Sequence, residues 1–172
     1  MRKYGYSTGQ GKQEIKDFLL PTLHKGDKIL DVGPGEGTYY NLLGKDYDWS
    51  AVEIWHDTAV YVAKFYDKVY EGSIVDFYYP EEYDLVIFGD VIEHLEIEDA
   101  KLCIERAKKN AKAIMIAIPY DTKQGVLYGN EAEIHHQTEM SSEIFDERYP
   151  GFKKVVYISY LKYAYYYWSR ED

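Results

Sequence analysis

Residues 29–38 read ILDVGPGEGT, an apolar run that leads directly into three glycines at alternating positions, Gly33, Gly35 and Gly37. Because glycine has no Cβ, a chain with this spacing can turn tightly and lie against a ligand. The residues that follow, Gly37–Leu43, favour a helix, and a helix N-terminus offers free N–H groups and a positive dipole end to an anionic group. The stretch therefore predicts a buried strand, a ligand-binding glycine turn and a helix.

A carboxylate closes the next predicted strand. Trp49–Glu53 (WSAVE) is mostly apolar up to its last residue, and Glu53 lies 22 residues after Asp31. In a doubly wound sheet, an acid at this place accepts hydrogen bonds from both ribose hydroxyls of a nucleoside cofactor. The dinucleotide fingerprint G-x-G-x-x-G requires glycine at position 38, where this chain has Thr38. The spacing therefore indicates a nucleoside cofactor and disfavours a nicotinamide dinucleotide.

Segments that resemble buried strands alternate with segments of helical spacing along the chain. The predicted strands are Lys28–Val32, Trp49–Glu53, Lys68–Glu71, Asp84–Phe88, Ala113–Ile118, Lys153–Tyr160 and Tyr163–Trp168. Apolar strands separated by helices indicate a parallel sheet that is covered on both faces. The last two strands leave no room for a helix between them, so they should pair antiparallel. We predict an α/β fold with a Rossmann-like doubly wound seven-stranded sheet, mostly parallel, with a C-terminal antiparallel hairpin.

Composition narrows the classes of function. The length of 172 residues fits a single domain over 1–172, which would include an N-terminal helical segment at 1–24. The net charge of −10 disfavours binding to nucleic acid or to anionic lipid. One cysteine, no apolar signal region and no apolar run long enough to cross a bilayer favour a cytoplasmic protein.

The sequence resembles the class I S-adenosylmethionine-dependent methyltransferases at three places. These are the D-x-G-x-G-x-G pattern from Asp31, the acid at Glu53, and Gly89–Leu95 (GDVIEHL) after the fourth strand. The nearer resemblance is to the small-molecule branch that includes quinone-biosynthesis methyltransferases, and it covers roughly residues 25 to 160. It implies transfer of a methyl group from S-adenosylmethionine to an oxygen or nitrogen atom of a small-molecule or glycan-like acceptor.

The resemblance also implies which residues hold the cofactor. The contacts with its methionine moiety would be Asp31, Gly33, Gly35 and Gly37. Glu53 would bind the ribose hydroxyls, and Ile54 would pack on the adenine face. Where the family often has an aspartate at the adenine edge, this chain has Gly72 followed by Ser73, so Ser73 and the nearby Asp76 are the candidates there. Asp90 would lie beneath the transferring methyl group.

Three histidines are candidate catalytic residues. A hydroxyl acceptor must lose a proton during methyl transfer, and histidine is the side chain best suited to take it near neutral pH. His94 follows the fourth strand, where it either acts in catalysis or orders the loop. His135 and His136 lie in the long segment 119–139, which is typical of a substrate-binding loop. Either of them is expected to contact the substrate or to pack within the loop.

The same segment supplies the predicted acceptor contacts, Tyr120, Asp121 and Asn130. Its Glu131, Glu133, His135 and His136 would also permit a metal site. Adjacent histidines usually point in different directions, however, and the chain has no pair of histidines four residues apart on a helix. We therefore expect no metal.

Alternatives remain open at this stage. A protein that binds S-adenosylmethionine without catalysing methyl transfer would have the same glycine turn and Glu53. A nicotinamide-dependent Rossmann oxidoreductase would also share Glu53, although Thr38 opposes it. The aromatic residues of Tyr163–Trp168 alternate on both faces of a strand, so one face is expected to form either a homodimer surface or the wall of an acceptor pocket.

Overall fold

The computed structural model describes residues 9–127 and 129–171. Its seven strands are β1 (Lys28–Val32), β2 (Asp48–Glu53), β3 (Lys68–Glu71), β4 (Tyr83–Gly89), β5 (Ala111–Pro119), β6 (Lys153–Ile158) and β7 (Tyr163–Ser169). They form one sheet in the order β3-β2-β1-β4-β5-β7-β6. The strands β1 to β5 run parallel, and β7 lies antiparallel to both β5 and β6. The predicted fold class is therefore confirmed.

Five α-helices accompany the sheet in the described part of the chain. They are α1 (Lys12–Leu19), α2 (Thr38–Leu43), α3 (His56–Val62), α4 (Ile97–Asn110) and α5 (Ser142–Arg148). Short 3₁₀ turns occupy Leu20–Thr22, Ile92–His94, Glu131–Glu133 and Ser159–Leu161. None of the described helices has the length and apolar character needed to span a bilayer. Residues 1–8 of the predicted N-terminal segment lie outside the described residues.

The connection between β6 and β7 explains how a hairpin forms without a glycine or asparagine in the turn. Its 3₁₀ turn ends at Lys162, which takes the left-handed conformation itself, with φ +49°. Residues other than glycine are uncommon at positive φ, so a search of the sequence for typical turn residues does not identify Lys162. The carbonyl of Lys162 accepts a hydrogen bond from the Tyr120 backbone N–H at 2.6 Å.

The core lies in two layers, one on each face of the sheet. On one face, α4 and α5 cover the strands with residues such as Ile104 and Phe145. On the other face, α1, α2 and α3 bury residues such as Ile15 and Val62. Chain order changes direction between β1 and β4, because β2 and β3 lie on one side of this pair and β5 on the other. The carboxyl ends of β1 and β4 therefore open the crevice where doubly wound sheets bind ligands.

The tyrosines of β7 contribute to both core layers of this chain. Tyr165 and Tyr166 are fully buried on opposite faces of the sheet. Tyr166 stacks on Phe145 with ring centroids 3.6 Å apart, and the Tyr165 hydroxyl donates a hydrogen bond to the Gln10 carbonyl at 2.9 Å. These rings are buried because β7 is inserted between β5 and β6, a strand order that the sequence does not reveal.

The glycine turn gives a stability prediction. Gly37 has φ +77°, and a Cβ on it would lie 2.6 Å from Cε2 of Phe65, whereas Gly129 has φ +78° and open space around it. We expect Gly129→Ala to cost about 1–2 kcal/mol of unfolding free energy because of its left-handed backbone. Gly37→Ala should cost about 1–3 kcal/mol more, since the core must also make room for the methyl group. Urea unfolding of both variants checks this, and equal costs would contradict the packing argument.

Candidate functional site

A crevice of about 670 Å³ opens at the carboxyl ends of β1, β2, β4 and β5. Five segments form most of it: the glycine turn after β1, the end of β2, the residues after β3, the residues after β4, and the loop between β5 and α5. Its volume is that of a small-molecule or cofactor site. The fold therefore brings together segments that are far apart in the sequence, at the place where the sequence predicts a cofactor.

The glycine turn presents backbone to the crevice. Gly33 and Gly35 both have positive φ and line it, and the Gly33 N–H donates to the Val52 carbonyl at 2.9 Å. A Cβ on Gly33 would lie 2.9 Å from Cγ2 of Val91, so the turn and the segment after β4 approach too closely for a side chain. Gly37 lies behind the crevice, where it precedes α2 and packs on Phe65.

Asp31 is buried at the base of the turn, and it is not among the residues that line the crevice. Its Oδ2 accepts a hydrogen bond from the Tyr66 hydroxyl at 2.6 Å, while Oδ1 is buried with no hydrogen-bond partner among the described residues. Burial raises the pKa of the Asp31 carboxyl to about 7, against the opposing effects of the Tyr66 hydrogen bond and the Lys12 charge. A buried acceptor atom without a donor is costly, so this oxygen suits a ligand that supplies an N–H group.

Glu53 ends β2 and lines the crevice although it is 7% exposed. Its Oε1 accepts a hydrogen bond from the Trp55 backbone N–H at 2.8 Å. Burial raises the pKa of this carboxyl to about 7, and hydrogen bonds from backbone N–H groups, that of Trp55 first, oppose the rise. The next residue, Ile54, also lines the crevice and is 54% exposed, so it offers an apolar surface beside the carboxylate.

The two candidates for the adenine edge differ in position. Ser73 lines the crevice, and its Oγ accepts a hydrogen bond from the Val75 backbone N–H at 3.2 Å. Asp76 is not among the lining residues; its backbone N–H donates to the Ser73 carbonyl at 3.2 Å. The structure therefore brings Ser73, and not Asp76, to the crevice wall.

Asp90 lies in the crevice just after β4. It takes a left-handed conformation with φ +58°, and its Oδ1 accepts a hydrogen bond from the Tyr163 hydroxyl at 2.6 Å. Tyr163 comes from β7 and also lines the crevice, as does Tyr39 of α2. The Tyr39 hydroxyl accepts a hydrogen bond from Nζ of the buried Lys12 at 2.9 Å. Sequence reasoning missed both tyrosines, because nothing in their local sequence shows which face of an element meets the crevice.

Two of the three candidate histidines meet in the crevice. The rings of His94 and His135 lie with centroids 4.8 Å apart in an edge-to-face arrangement, and both line the cavity. Burial lowers the pKa of His94 to about 4 and also lowers the pKa of His135, so both rings are neutral at pH 7. His136 is not among the lining residues; its Nδ1 lies 2.9 Å from Oε1 of Glu96.

The predicted acceptor contacts are also divided by the structure. Asn130 lines the crevice, and its Oδ1 accepts a hydrogen bond from the Ala132 backbone N–H at 3.0 Å. Tyr120 and Asp121 do not line it, and the Tyr120 N–H donates instead to the Lys162 carbonyl just before β7. Tyr120 is buried, and its hydroxyl forms a hydrogen bond with that of Tyr166. Asp121 is exposed, and its Oδ2 accepts a hydrogen bond from Nζ of Lys162 at 3.3 Å.

Glu93 is a crevice residue that the sequence analysis did not select. It is 1% exposed, and its Oε2 has no hydrogen-bond partner among the described residues. Its backbone carbonyl accepts hydrogen bonds from the N–H groups of His136 at 2.8 Å and Gln137 at 3.1 Å, which ties the loop to the segment after β4. Burial raises the pKa of the Glu93 carboxyl well above its usual range. The sequence feature that could have identified Glu93 is its position next to His94 in the motif of residues 89–95.

No family model and no curated protein matches the chain, but solved methyltransferase structures do. An S-adenosylmethionine-dependent methyltransferase from Clostridium acetobutylicum is 10% identical over 91% of this chain and 89% of its own, with a TM-score of 0.70. The N-methyltransferase NodS from Bradyrhizobium japonicum is 11% identical over 94% of this chain and 97% of its own, with a TM-score of 0.64. At such identities the likeness establishes the fold, which is that of the S-adenosylmethionine-dependent methyltransferases.

A third structure was solved with ligands bound. The 1,6-didemethyltoxoflavin-N1-methyltransferase from Burkholderia thailandensis, with its acceptor and S-adenosylhomocysteine, is 14% identical over 92% of this chain and 76% of its own, with a TM-score of 0.65. Two further similar structures are longer than this chain. The chain spans 55% of an O-methyltransferase from Nostoc punctiforme and 51% of a sugar N-methyltransferase from Streptoalloteichus.

The buried Asp31 predicts a dependence of stability on pH. Its folded pKa of about 7 lies above the ordinary value of 3.8, so the folded state loses stability as the pH rises from 3.8 to about 7. Asp31→Asn removes this penalty, and the amide oxygen can still accept from Tyr66. We expect the variant to gain melting temperature at pH 8 and much less at pH 5, measured by thermal unfolding.

The control is Asp46→Asn, whose carboxylate is 71% exposed and should show little difference between the two pH values. An Asp31→Asn gain that is equal at pH 5 and pH 8 would contradict the assignment of a buried carboxylate that ionises in this range.

Proposed function

We propose that this protein is an S-adenosylmethionine-dependent methyltransferase that methylates an oxygen or nitrogen atom of a small-molecule or glycan-like acceptor. One observation carries the proposal: two buried carboxylates, Asp31 and Glu53, flank a left-handed glycine turn at the switch point of a methyltransferase fold. Oδ1 of Asp31 is buried without a hydrogen-bond partner among the described residues, and Glu53 lines the crevice. These two carboxylates suit the ammonium and the ribose hydroxyls of one ligand.

Each cofactor residue has a physical task in this proposal. Asp31, with the backbone of Gly33 and Gly35, holds the methionine moiety. Glu53 accepts hydrogen bonds from the ribose hydroxyls, and the exposed Ile54 packs on the adenine ring. Ser73 contacts the adenine edge with its hydroxyl. Both carboxylates have a raised pKa, and donor groups from a bound ligand favour their ionised forms.

The residues after β4, from Asp90 onwards, and the loop between β5 and α5 line the part of the crevice that we call the acceptor half. S-adenosylmethionine supplies a methyl group on a cationic sulfonium, and its transfer is an in-line displacement. The protein therefore acts mainly by positioning, which can supply about 7–11 kcal/mol of the barrier. His94, His135 and Asn130 line this half. The two neutral imidazoles can take a proton from an acceptor that must lose one.

A small acceptor fits the dimensions and charge of the site. The crevice of about 670 Å³ must hold the cofactor and the acceptor together. The net charge of −10 disfavours a nucleic-acid partner and favours neutral or cationic molecules.

We place the protein in the cytoplasm. A homodimer through the C-terminal end would use Tyr157 and Tyr160, which are exposed aromatic residues in that part of the chain.

Calorimetric titration tests the cofactor half. We expect S-adenosylhomocysteine to bind in the micromolar range, with NAD binding much more weakly. Glu53→Gln should weaken S-adenosylhomocysteine at least about tenfold, or about 1.4 kcal/mol, because a buried charge-assisted hydrogen bond is lost. The matched control is Glu36→Gln, an exposed carboxylate in the same turn that does not line the crevice.

Two outcomes would contradict the proposal. The folded wild-type protein would fail to bind S-adenosylhomocysteine, or it would prefer NAD. In the first case the glycine turn has only a structural role, and in the second the oxidoreductase alternative regains support.

A further inference from the structure

Three side chains in the acceptor half form a set of hydrogen-bond acceptors. The Nδ1 atom of His94 lies 3.3 Å from the Ile134 carbonyl, and that of His135 lies 3.3 Å from the Thr122 carbonyl. A carbonyl oxygen can only accept, so each Nδ1 holds the ring proton and each Nε2 is left with its lone pair. The Thr122 hydroxyl also lies 3.2 Å from Nδ1 of His135 and can accept the same proton. The loop backbone therefore favours neutral imidazoles that accept at Nε2.

Glu93 supplies the third acceptor. Its carboxyl is almost fully buried, lines the crevice, and has one oxygen that lacks a hydrogen-bond partner among the described residues. One ligand atom from each of Glu93, His94 and His135 lies within 4.8 Å of the other two. When Glu93 is ionised, none of these groups can donate to another, so a shared donor satisfies all three.

We propose, on the basis of the methyltransferase function proposed above, that the methyl acceptor is the nitrogen of a primary amine bound by Glu93, His94 and His135. An ammonium group has three N–H donors and carries a positive charge. The cluster offers three acceptors, one of them a carboxylate. A hydroxyl has a single donor and would leave two of the three acceptors without a partner.

The spacing of the cluster can be compared with what an ammonium ion and a metal ion require. Around a tetrahedral centre, ligand atoms are about 1.6 bond lengths apart, so bonds of about 2.1 Å to zinc bring them to about 3.4 Å from one another. Hydrogen bonds of about 2.9 Å to an ammonium nitrogen place them about 4.7 Å apart. The three separations are all at or below 4.8 Å, which is compatible with both spacings, so the charge of the site and the number of N–H donors favour the amine and the spacing does not decide.

The surrounding charges also favour a cation. Asp90 and Glu133 line the same half of the crevice as Glu93, and both raise its pKa by like-charge repulsion after the larger effect of burial. Lys123 is the one lysine among the described lining residues, and it is exposed. A positive ligand relieves this repulsion, and a neutral alcohol does not.

The reaction balances with these residues alone. The carboxylate of Glu93 takes one proton from the ammonium, which leaves a neutral amine with a lone pair. That pair first points at Glu93, so the amine turns about its C–N bond until the pair faces the methyl carbon, which releases a hydrogen bond to one of the histidines. The pair then forms the new N–C bond while the C–S bond breaks, and the electrons of the C–S bond remain on sulfur. The products are an N-methylammonium ion and a neutral thioether, with the proton on Glu93.

Imidazole NMR on the protein saturated with S-adenosylhomocysteine tests the proposal. The probes are methylammonium and benzylamine, compared with tetramethylammonium, which has the charge without N–H groups, and with benzyl alcohol. We expect the Nε2 resonances of His94 and His135 to shift with the two amines only. The exposed rings of His24 and His56 are internal references. Benzylamine should bind at least tenfold more tightly than benzyl alcohol.

Two variants and one control complete the experiment. Glu93→Gln and His135→Phe should each weaken benzylamine at least tenfold, and His135, in the loop, provides the test should Glu93→Gln not fold. Glu139→Gln, a substitution of an exposed residue in the same loop, should bind benzylamine like wild type.

Equal responses to amine and alcohol, or none to either, would overturn the amine assignment while S-adenosylhomocysteine still binds. Stoichiometric binding of ZnCl₂ that excludes the amines would make the cluster a metal site. Failure to bind S-adenosylhomocysteine would instead overturn the function on which the inference rests.

Discussion

The turn between β1 and α2 must pass through left-handed backbone conformations with no side chains in the way. Gly33 and Gly37, with φ +63° and +77°, meet this requirement, and Val91 and Phe65 occupy the space that their Cβ atoms would need. The turn can therefore lie against the segment after β4 and present its backbone to the crevice. Asp31 is buried beneath the turn for the same reason.

Burial of several acids in and beside one crevice stabilises ligand binding at a cost to the folded protein. Asp31, Glu53 and Glu93 all have pKa values raised by burial. Each unpaired buried carboxylate opposes folding when it ionises. A ligand that brings donors and positive charge reverses this penalty, so the same groups that weaken the free protein strengthen its complex. Such a trade between stability and activity is common at functional sites.

The sequence predicted the fold because the apolar strands and the glycine turn are local signals. It predicted less of the acceptor half, where the path of a loop decides which side chains reach the crevice. The Tyr120 N–H bonds to the Lys162 carbonyl, and Tyr120 and Asp121 lie away from the crevice, whereas Thr122 and Asn130 line it. His135 and His136 are adjacent, yet only His135 lines the cavity. Glu93 was overlooked because its role depends on burial, which residue type alone does not show.

The central claim is that one nucleoside ligand bridges the glycine turn and the end of β2. A crystal structure of the protein with S-adenosylhomocysteine tests it most directly. The account predicts hydrogen bonds from both ribose hydroxyls to Glu53 and the amino-acid ammonium group within hydrogen-bond distance of Oδ1 of Asp31. A nucleoside bound elsewhere, or one in this crevice without contacts to either carboxylate, would contradict it.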